Sequence, residues 1–255
     1  IIVFIGFLIY SIINNFFPSI GALILLLMLP LLPWFVIKAL SFNARNSAIQ
    51  NIRFTFNGTY WDAFKVYILW PLLLPFTLGL IYPYLLYRQK KFLVENSTYG
   101  TTPFAFDAGP KDYYRIFLGL VIPFILVIAI GIAIQFVIPF ISVLFFLVFY
   151  LYAFAFIGAK SNNLLYNSSS FAKNGFSSTM EVIEYFVIVI TNSLATAFTL
   201  GFFHPFAQVR AYRYQIEHLE LKSAGNLDQF IADERKQVSA LGDEAAEFMD
   251  FDIGI

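Results

Sequence analysis

Cysteine is absent from the 255 residues of this chain, which excludes disulfides, thiolate catalysis and cysteine-ligated metal sites within it. Charged residues make up 13% of the chain, whereas a typical soluble domain carries about a quarter. The formal net charge is zero, so there is no electrostatic basis for binding nucleic acid. The sequence has no Ser-His-Asp elbow, His-Glu-x-x-His motif or Walker loop. We therefore predict a protein that is not an enzyme and needs no cofactor or metal ion.

Apolar residues dominate what remains. Hydrophobic residues account for 59% of the chain and aromatic residues for 20%. Three stretches, residues 20–40, 116–134 and 139–159, are almost free of charge. Each is about 20 residues long, enough to cross roughly 30 Å of hydrocarbon as a helix. The composition therefore predicts an integral membrane protein.

One motif occurs twice within this apolar sequence. Phe-Thr-Leu-Gly at residues 76–79 recurs at 198–201, a constant offset of 122 positions. Further residues match in the same gap-free register, namely Asp62 with Glu184, Pro83 with Pro205, Arg88 with Arg210 and Glu95 with Glu217. A shared register of this kind predicts an internal duplication, and two related halves are common in membrane transporters.

The pattern predicts an all-α integral membrane protein, a polytopic helical bundle made of two repeats at residues 1–114 and 115–214. Each repeat would consist of a helical hairpin and a membrane segment broken by proline and glycine. Short β segments are predicted in the polar loops, because residues 54–58 and 104–109 alternate apolar and polar side chains and end at glycine. Residues 215–255 are predicted to form an acidic amphipathic tail.

The broken segments, residues 63–87 and 182–209, allow two topologies. If both cross the membrane, the second half is inverted relative to the first. However, Lys and Arg occur in all four polar regions and are missing from the tight turns near Asn14 and Gln135. The positive-inside rule then places every polar region, including the tail, in the cytoplasm. We favour this same-side topology, in which both broken segments re-enter and leave on one side.

The repeated motif suggests a polar site at membrane depth. A proline within a helix deprives the carbonyl four residues earlier of its partner, which in each copy is the carbonyl of the motif glycine. The glycine carbonyl and the nearby threonine hydroxyl would then bind an ion, a water or a polar group, although a plain kink fits as well. The predicted pathway residues are Thr77, Gly79, Pro83, Thr199, Gly201, Pro205 and the mid-segment Asn192.

Charged residues flank the broken segments. Arg88 and Arg210 could contact lipid phosphates or an anionic substrate, or could simply anchor the chain at the membrane interface. Asp62 and Glu184 could act as charge partners for these arginines, or could occupy the first turn of a helix.

The chain resembles the YjgN-like family of bacterial inner-membrane proteins, which carry a domain of unknown function. The resemblance covers essentially the whole chain and includes the Thr-Leu-Gly…Pro…Arg motif, Arg45-Asn46 and Phe54-x-Phe56-x-Gly58. It implies a multi-pass protein of the bacterial inner membrane but no activity. In that family a further Thr-Leu-Gly copy usually precedes the segment seen here. The family's tryptophan after the proline is replaced by Tyr84 and Phe206.

Two functions from different classes follow from these patterns. The paired broken segments favour a channel or transporter for a small polar or ionic solute. The alternative is a non-catalytic structural or regulatory subunit of a membrane assembly, and lipid handling is a third option suggested by the two arginines. The expected partners are membrane lipids and either another membrane protein or a second copy of the chain, with no nucleic acid.

Overall fold

The computed structural model describes residues 10–223, 225 and 229–240. The chain divides into two compact units, Ile1–Gly100 and Thr101–Ile255. Most of the predicted first hydrophobic segment and the acidic end of the tail, residues 241–255, lie outside the described residues.

The first unit combines apolar helices with three short strands. Its described elements, in chain order, are α1 (residues 10–16), α2 (Pro18–Met28), α3 (Leu31–Arg45), β1 (Ala48–Ile49), β2 (Ile52–Phe56), α4 (Tyr60–Phe64), a π-helical turn (Lys65–Leu69), a 3-10 turn (Pro71–Leu73), α5 (Tyr82–Glu95) and β3 (Ser97–Tyr99). The axes of α2 and α3 meet at 46°. This bend lies where Pro30 and Pro33 predict a kink, since proline cannot donate to the helical ladder.

The second unit contains the longest helices. Its described elements are β4 (Thr102–Phe106), α6 (Pro110–Val137), α7 (Pro139–Asn167), β5 (Ser169–Phe171), β6 (Asn174–Ser178), α8 (Val182–Phe198), α9 (His204–Glu217), β7 (Leu219–Lys222) and α10 (residues 229–240).

Helices α6 and α7 form the predicted hydrophobic hairpin. Helix α6 begins where the Gly109 N–H donates to Asp112 Oδ2 at 2.9 Å, and it ends where Ile138 takes an extended conformation before Pro139. Both helices are long and apolar enough to cross a membrane. The bent pair α2–α3 would count as a third span if it is continuous. These helices indicate a membrane-associated protein.

Paired strands frame the helical hairpins. In the first unit Phe56 at the end of β2 is opposite Ser97 at the start of β3. The segment that contains α4 and α5 therefore begins and ends at the same pair of strands. In the second unit Phe106 pairs with Ser169 around α6–α7, and Ser178 pairs with Leu219 around α8–α9. Each hairpin therefore starts and finishes at the same edge of antiparallel strands.

The predicted all-α polytopic bundle is wrong. The described chain contains seven short strands, and only two of its helices pass singly as candidate membrane spans. Segments 63–87 and 182–209 are not continuous helices, because each folds back at its Thr-Leu-Gly turn into shorter pieces. The first residues of the two predicted β segments do form strands, at the ends of β2 and β4.

Small residues bring α7 close to the α8–α9 hairpin. Ala155 and Ala159 of α7 are fully buried in a cluster that contains Met180, Tyr185 and Tyr214. Alanine and glycine faces allow helix backbones to approach closely. A Cβ on Gly158 would lie only 3.1 Å from the Tyr185 ring, so this part of α7 has little room for a larger side chain.

Helix α10 is joined to the start of β4, within the second unit, by a buried carboxylate. Glu234 is 3% exposed, and its Oε2 accepts the Thr102 hydroxyl at 2.8 Å while its Oε1 accepts the Thr101 backbone N–H and hydroxyl. Desolvation by burial raises the pKa of Glu234, but the hydrogen bonds from both threonines outweigh it and hold the pKa below its usual value. The carboxylate is therefore charged at neutral pH, and α10 supplies the described part of the predicted amphipathic tail helix.

Candidate functional site

The two copies of the motif adopt the same turn. Leu78 and Leu200 both have φ of 51°, and the following glycines, Gly79 and Gly201, have φ of 83° and 95°. In each copy the glycine N–H donates to the carbonyl five residues earlier, at 3.0 Å from Leu74 and 2.8 Å from Thr196. This is a Schellman-type end to a helix, with the unusual feature that a leucine takes the left-handed position.

The glycine carbonyls are not free, so the vacancy from which the polar site was predicted is not present, while the site itself stays a prediction. Gly79 O accepts the Tyr82 N–H at 3.0 Å, and Gly201 O accepts the His204 N–H at 3.0 Å. The predicted vacancy required a proline inside a continuous helix. Pro83 and Pro205 instead lie in the first turn of α5 and α9, where a missing N–H costs no hydrogen bond.

The threonines are also satisfied within their own turns. The Thr77 hydroxyl donates to Leu73 O at 2.9 Å, and the Thr199 hydroxyl donates to Ala195 O at 2.7 Å. The Thr199 oxygen also accepts the Phe203 N–H at 2.9 Å. The polar groups of each motif thus face the turn itself and leave an apolar exterior.

The outer surface of each turn consists of large apolar side chains. Leu78 is 92% exposed and Leu200 is 90% exposed. The flanking residues that share this exposure are Phe76, Leu80, Phe198 and Phe202. An exposed leucine in a left-handed conformation costs roughly 1–2 kcal/mol of backbone strain. Contact with hydrocarbon at both tips would offset that cost.

The hairpin α8–α9 holds two predicted site residues together. Asn192, 8% exposed, donates from Nδ2 to Ala207 O at 3.0 Å and so joins the two helices. A guanidinium nitrogen of Arg210 donates to Asn192 Oδ1 at 3.2 Å and to Thr191 Oγ1 at 2.7 Å. Among the described residues no carboxylate forms a salt bridge with Arg210, so only neutral groups orient this cation.

Glu184 lies near the base of the same hairpin with two residues that the sequence analysis missed. Tyr214 donates to Glu184 Oε2 at 3.0 Å, and His218 Nε2 is 3.7 Å from that same oxygen. The Tyr185 and Tyr214 rings stack at 5.9 Å. The spacing of Tyr214 and His218, four residues apart on α9, is the one sequence signal that could have grouped them.

In the first unit, Asp62 and Arg88 occupy the corresponding positions. Asp62 lies in the first turn of α4 and accepts the Thr59 hydroxyl at 2.7 Å, with Lys65 at 3.5 Å. Asp62 and Arg88 line a polar pocket of about 340 Å³ together with Lys91 and Glu95.

An open cleft of about 580 Å³ lies between α7 and the α8–α9 hairpin. Its walls include Phe154, Tyr185, Val189 and Ala211, and its polar lining includes Asn192 and Gln208. The cleft also extends to Gly201, so it runs along the hairpin as far as the turn. This volume falls within the roughly 300–1,000 Å³ typical of ligand pockets.

Comparison with known proteins gives a family and no activity. Residues 1–248 match the model of a bacterial protein family of unknown function, DUF898. The chain belongs to this family, for which YjgN-like is another name, as the motifs predicted. No curated protein and no solved structure matches the chain.

Proposed function

We propose that this member of the DUF898 family is a non-catalytic membrane protein whose hairpins α4–α5 and α8–α9 each insert tip-first into the lipid bilayer. It serves as a structural or regulatory component of the bacterial inner membrane. The observation that carries this proposal is the strained and almost fully exposed leucine at each tip, Leu78 and Leu200. In water such a residue adds strain and no packing, whereas in hydrocarbon it adds favourable transfer energy.

The dimensions of the second hairpin support partial insertion. Helix α8 has 17 residues and is therefore about 25 Å long, which is shorter than the roughly 30 Å core of a bilayer. Its ends connect to the paired strands β6 and β7. A hairpin with this geometry enters from the strand side and returns to it, and the distribution of Lys and Arg supports a cytoplasmic location for that side.

A second candidate function is transport of a small polar or ionic solute. The observation that favours it is the cleft that contains Asn192, Thr196 and Gly201, since polar residues at membrane depth often mark a pathway. If this function holds, proteoliposomes with the wild-type protein conduct potassium or protons, and proteoliposomes with the Asn192→Leu variant do not. If wild-type protein conducts neither ion above protein-free vesicles, this candidate is not supported.

Insertion of the tip can be measured by fluorescence quenching. A single Leu200→Cys variant carries an environment-sensitive fluorophore, because the chain offers no competing cysteine. In phosphatidylcholine vesicles we expect strong quenching by lipids with a nitroxide deep in the acyl chain and little quenching by aqueous iodide. Leu221→Cys in β7 serves as the control, since this exposed leucine lies among the strands, and we expect the opposite preference there. Iodide quenching of both labels to the same extent would contradict the proposal.

A further inference from the structure

We propose that the α7–α8–α9 cleft is a binding site for one phospholipid, with an acyl chain along the apolar wall and the phosphate on Arg210. The inference rests on the membrane insertion proposed above and adds a ligand to it. Three separate observations support the site: an apolar cleft, an oriented cation with no acidic partner among the described residues, and the distance between that cation and the hairpin tip.

The cleft has the shape and chemistry of an acyl-chain site. It is open along its length, about 580 Å³ in volume, and lined mainly by apolar atoms from three helices. Phe154 of α7, Val189 of α8 and Ala211 of α9 all line it. In a bilayer an open apolar cleft is filled by hydrocarbon, since an empty one loses dispersion contacts along both walls.

Arg210 is prepared to receive an anion. The guanidinium group carries five N–H donors, and among the described groups its acceptors are Thr191 Oγ1 and Asn192 Oδ1, both reached from one nitrogen. The remaining donors are available to a phosphate, which arginine binds in a bidentate manner. Asn192 lines the cleft itself, so its side chain links the arginine to the acyl-chain wall.

The position of Arg210 along the hairpin matches a lipid phosphate. Arg210 lies six residues after the start of α9 at His204, which corresponds to about 9 Å of helix at 1.5 Å per residue, with the turn at Gly201 beyond that end. One leaflet contributes about 15 Å of hydrocarbon. With the tip within the hydrocarbon of that leaflet, the guanidinium reaches the level of the phosphates on the side that the hairpin enters.

Lipid titration of the delipidated, detergent-solubilised full chain tests the site. By native mass spectrometry we expect dioleoylphosphatidylglycerol to bind at least tenfold more tightly than dioleoylglycerol, which lacks the phosphate, because charge-assisted hydrogen bonds contribute on this scale. Soluble glycerol 1-phosphate, which lacks the chains, is expected not to bind at the same concentrations. Arg210→Gln should lower the affinity for the phospholipid about tenfold and leave that for dioleoylglycerol unchanged.

Matched variants separate the site from general charge effects. Arg213→Gln removes the same charge three residues along α9 from an exposed position and is expected to bind like the wild type. Ala197→Trp, which fills the cleft, should weaken binding of both lipids. Arg210→Lys retains the charge and gives an intermediate affinity, which identifies the loss in Arg210→Gln as a binding effect. Equal affinity for the two lipids, or equal losses in Arg210→Gln and Arg213→Gln, would overturn the site without affecting the quenching result at Leu200.

Discussion

Replacing Leu200 by aspartate is expected to expel the tip of the α8–α9 hairpin from the bilayer. Leucine favours the hydrocarbon core by a few tenths of a kcal/mol, whereas aspartate opposes insertion by about 2.5–3.5 kcal/mol near the centre. The sum exceeds about 2.8 kcal/mol, so the ratio of inserted to non-inserted hairpin should fall by more than roughly a hundredfold. A fluorophore on Phe202→Cys reports the change, since this neighbouring side chain is also exposed at the tip.

The control for this substitution is Leu221→Asp. Leu221 is an exposed leucine on β7, where the account expects water, so the same chemical change should leave the Phe202 label quenched by deep nitroxide lipids. If Leu200→Asp also leaves that label in hydrocarbon, Leu200 does not hold the tip in the bilayer, and the role given to the exposed leucine is contradicted.

Replacing Asn163 by leucine is expected to destabilise the second unit by about 3 kcal/mol, because several hydrogen bonds are lost and buried backbone groups lose their partner. Asn163 lies on α7 and holds the segment that leads into α8. Its Oδ1 accepts the Ser178 hydroxyl at 2.7 Å and the Met180 N–H at 3.0 Å, and its Nδ2 donates to Met180 O at 2.9 Å. A loss of this size corresponds to a fall of roughly 6–12 °C in Tm.

The adjacent Asn162 provides a matched control for Asn163. Within the described part of the chain its Nδ2 donates only to the Met180 sulfur, at 3.1 Å, and sulfur is a weak acceptor. Thermal unfolding in detergent should therefore show a shift for Asn162→Leu of a few degrees at most. Equal Tm shifts for the two variants would show that the hydrogen bonds of Asn163 do not stabilise the contact between α7 and the α8–α9 hairpin.

Apolar length and local alternation were enough to predict several elements. The uncharged runs at residues 116–134 and 139–159 lie within α6 and α7, because length and hydropathy are properties of the segment itself. The alternating segments that end at Gly58 and Gly109 overlap β2 and β4, because alternation is likewise a local property of the sequence. The two motif copies share one backbone conformation, while the duplication itself stays a prediction.

Strands that depend on partners far along the chain could not be predicted from the sequence. β5 and β6 are Ser-Ser-Phe and Asn-Gly-Phe-Ser-Ser, and neither shows alternation or strong β propensity. They form because their backbones pair with each other and with β4 and β7. The all-α prediction failed at this point, since tertiary pairing decided the outcome.

The candidate site shows the same division. Asn192 and Arg210 were identified separately from the sequence, but their hydrogen bond depends on the fold-back between α8 and α9. Glu234 gave no local signal, because its partners Thr101 and Thr102 are more than 130 residues away in the chain. The prediction of free glycine carbonyls failed because it assumed a continuous helix through Pro83 and Pro205, whereas two left-handed residues place each proline at the start of a new helix.

Single-cysteine labelling in intact cells tests the return of each hairpin to its starting side most directly. Ser47→Cys and Ser97→Cys lie on either side of α4–α5, and Ser168→Cys and Ser223→Cys lie on either side of α8–α9. The account predicts that a membrane-impermeant maleimide labels neither member of a pair from outside, and labels both members after the inner membrane is opened. If one member of a pair is labelled in intact cells while the other is protected, that segment crosses the membrane and the account is contradicted.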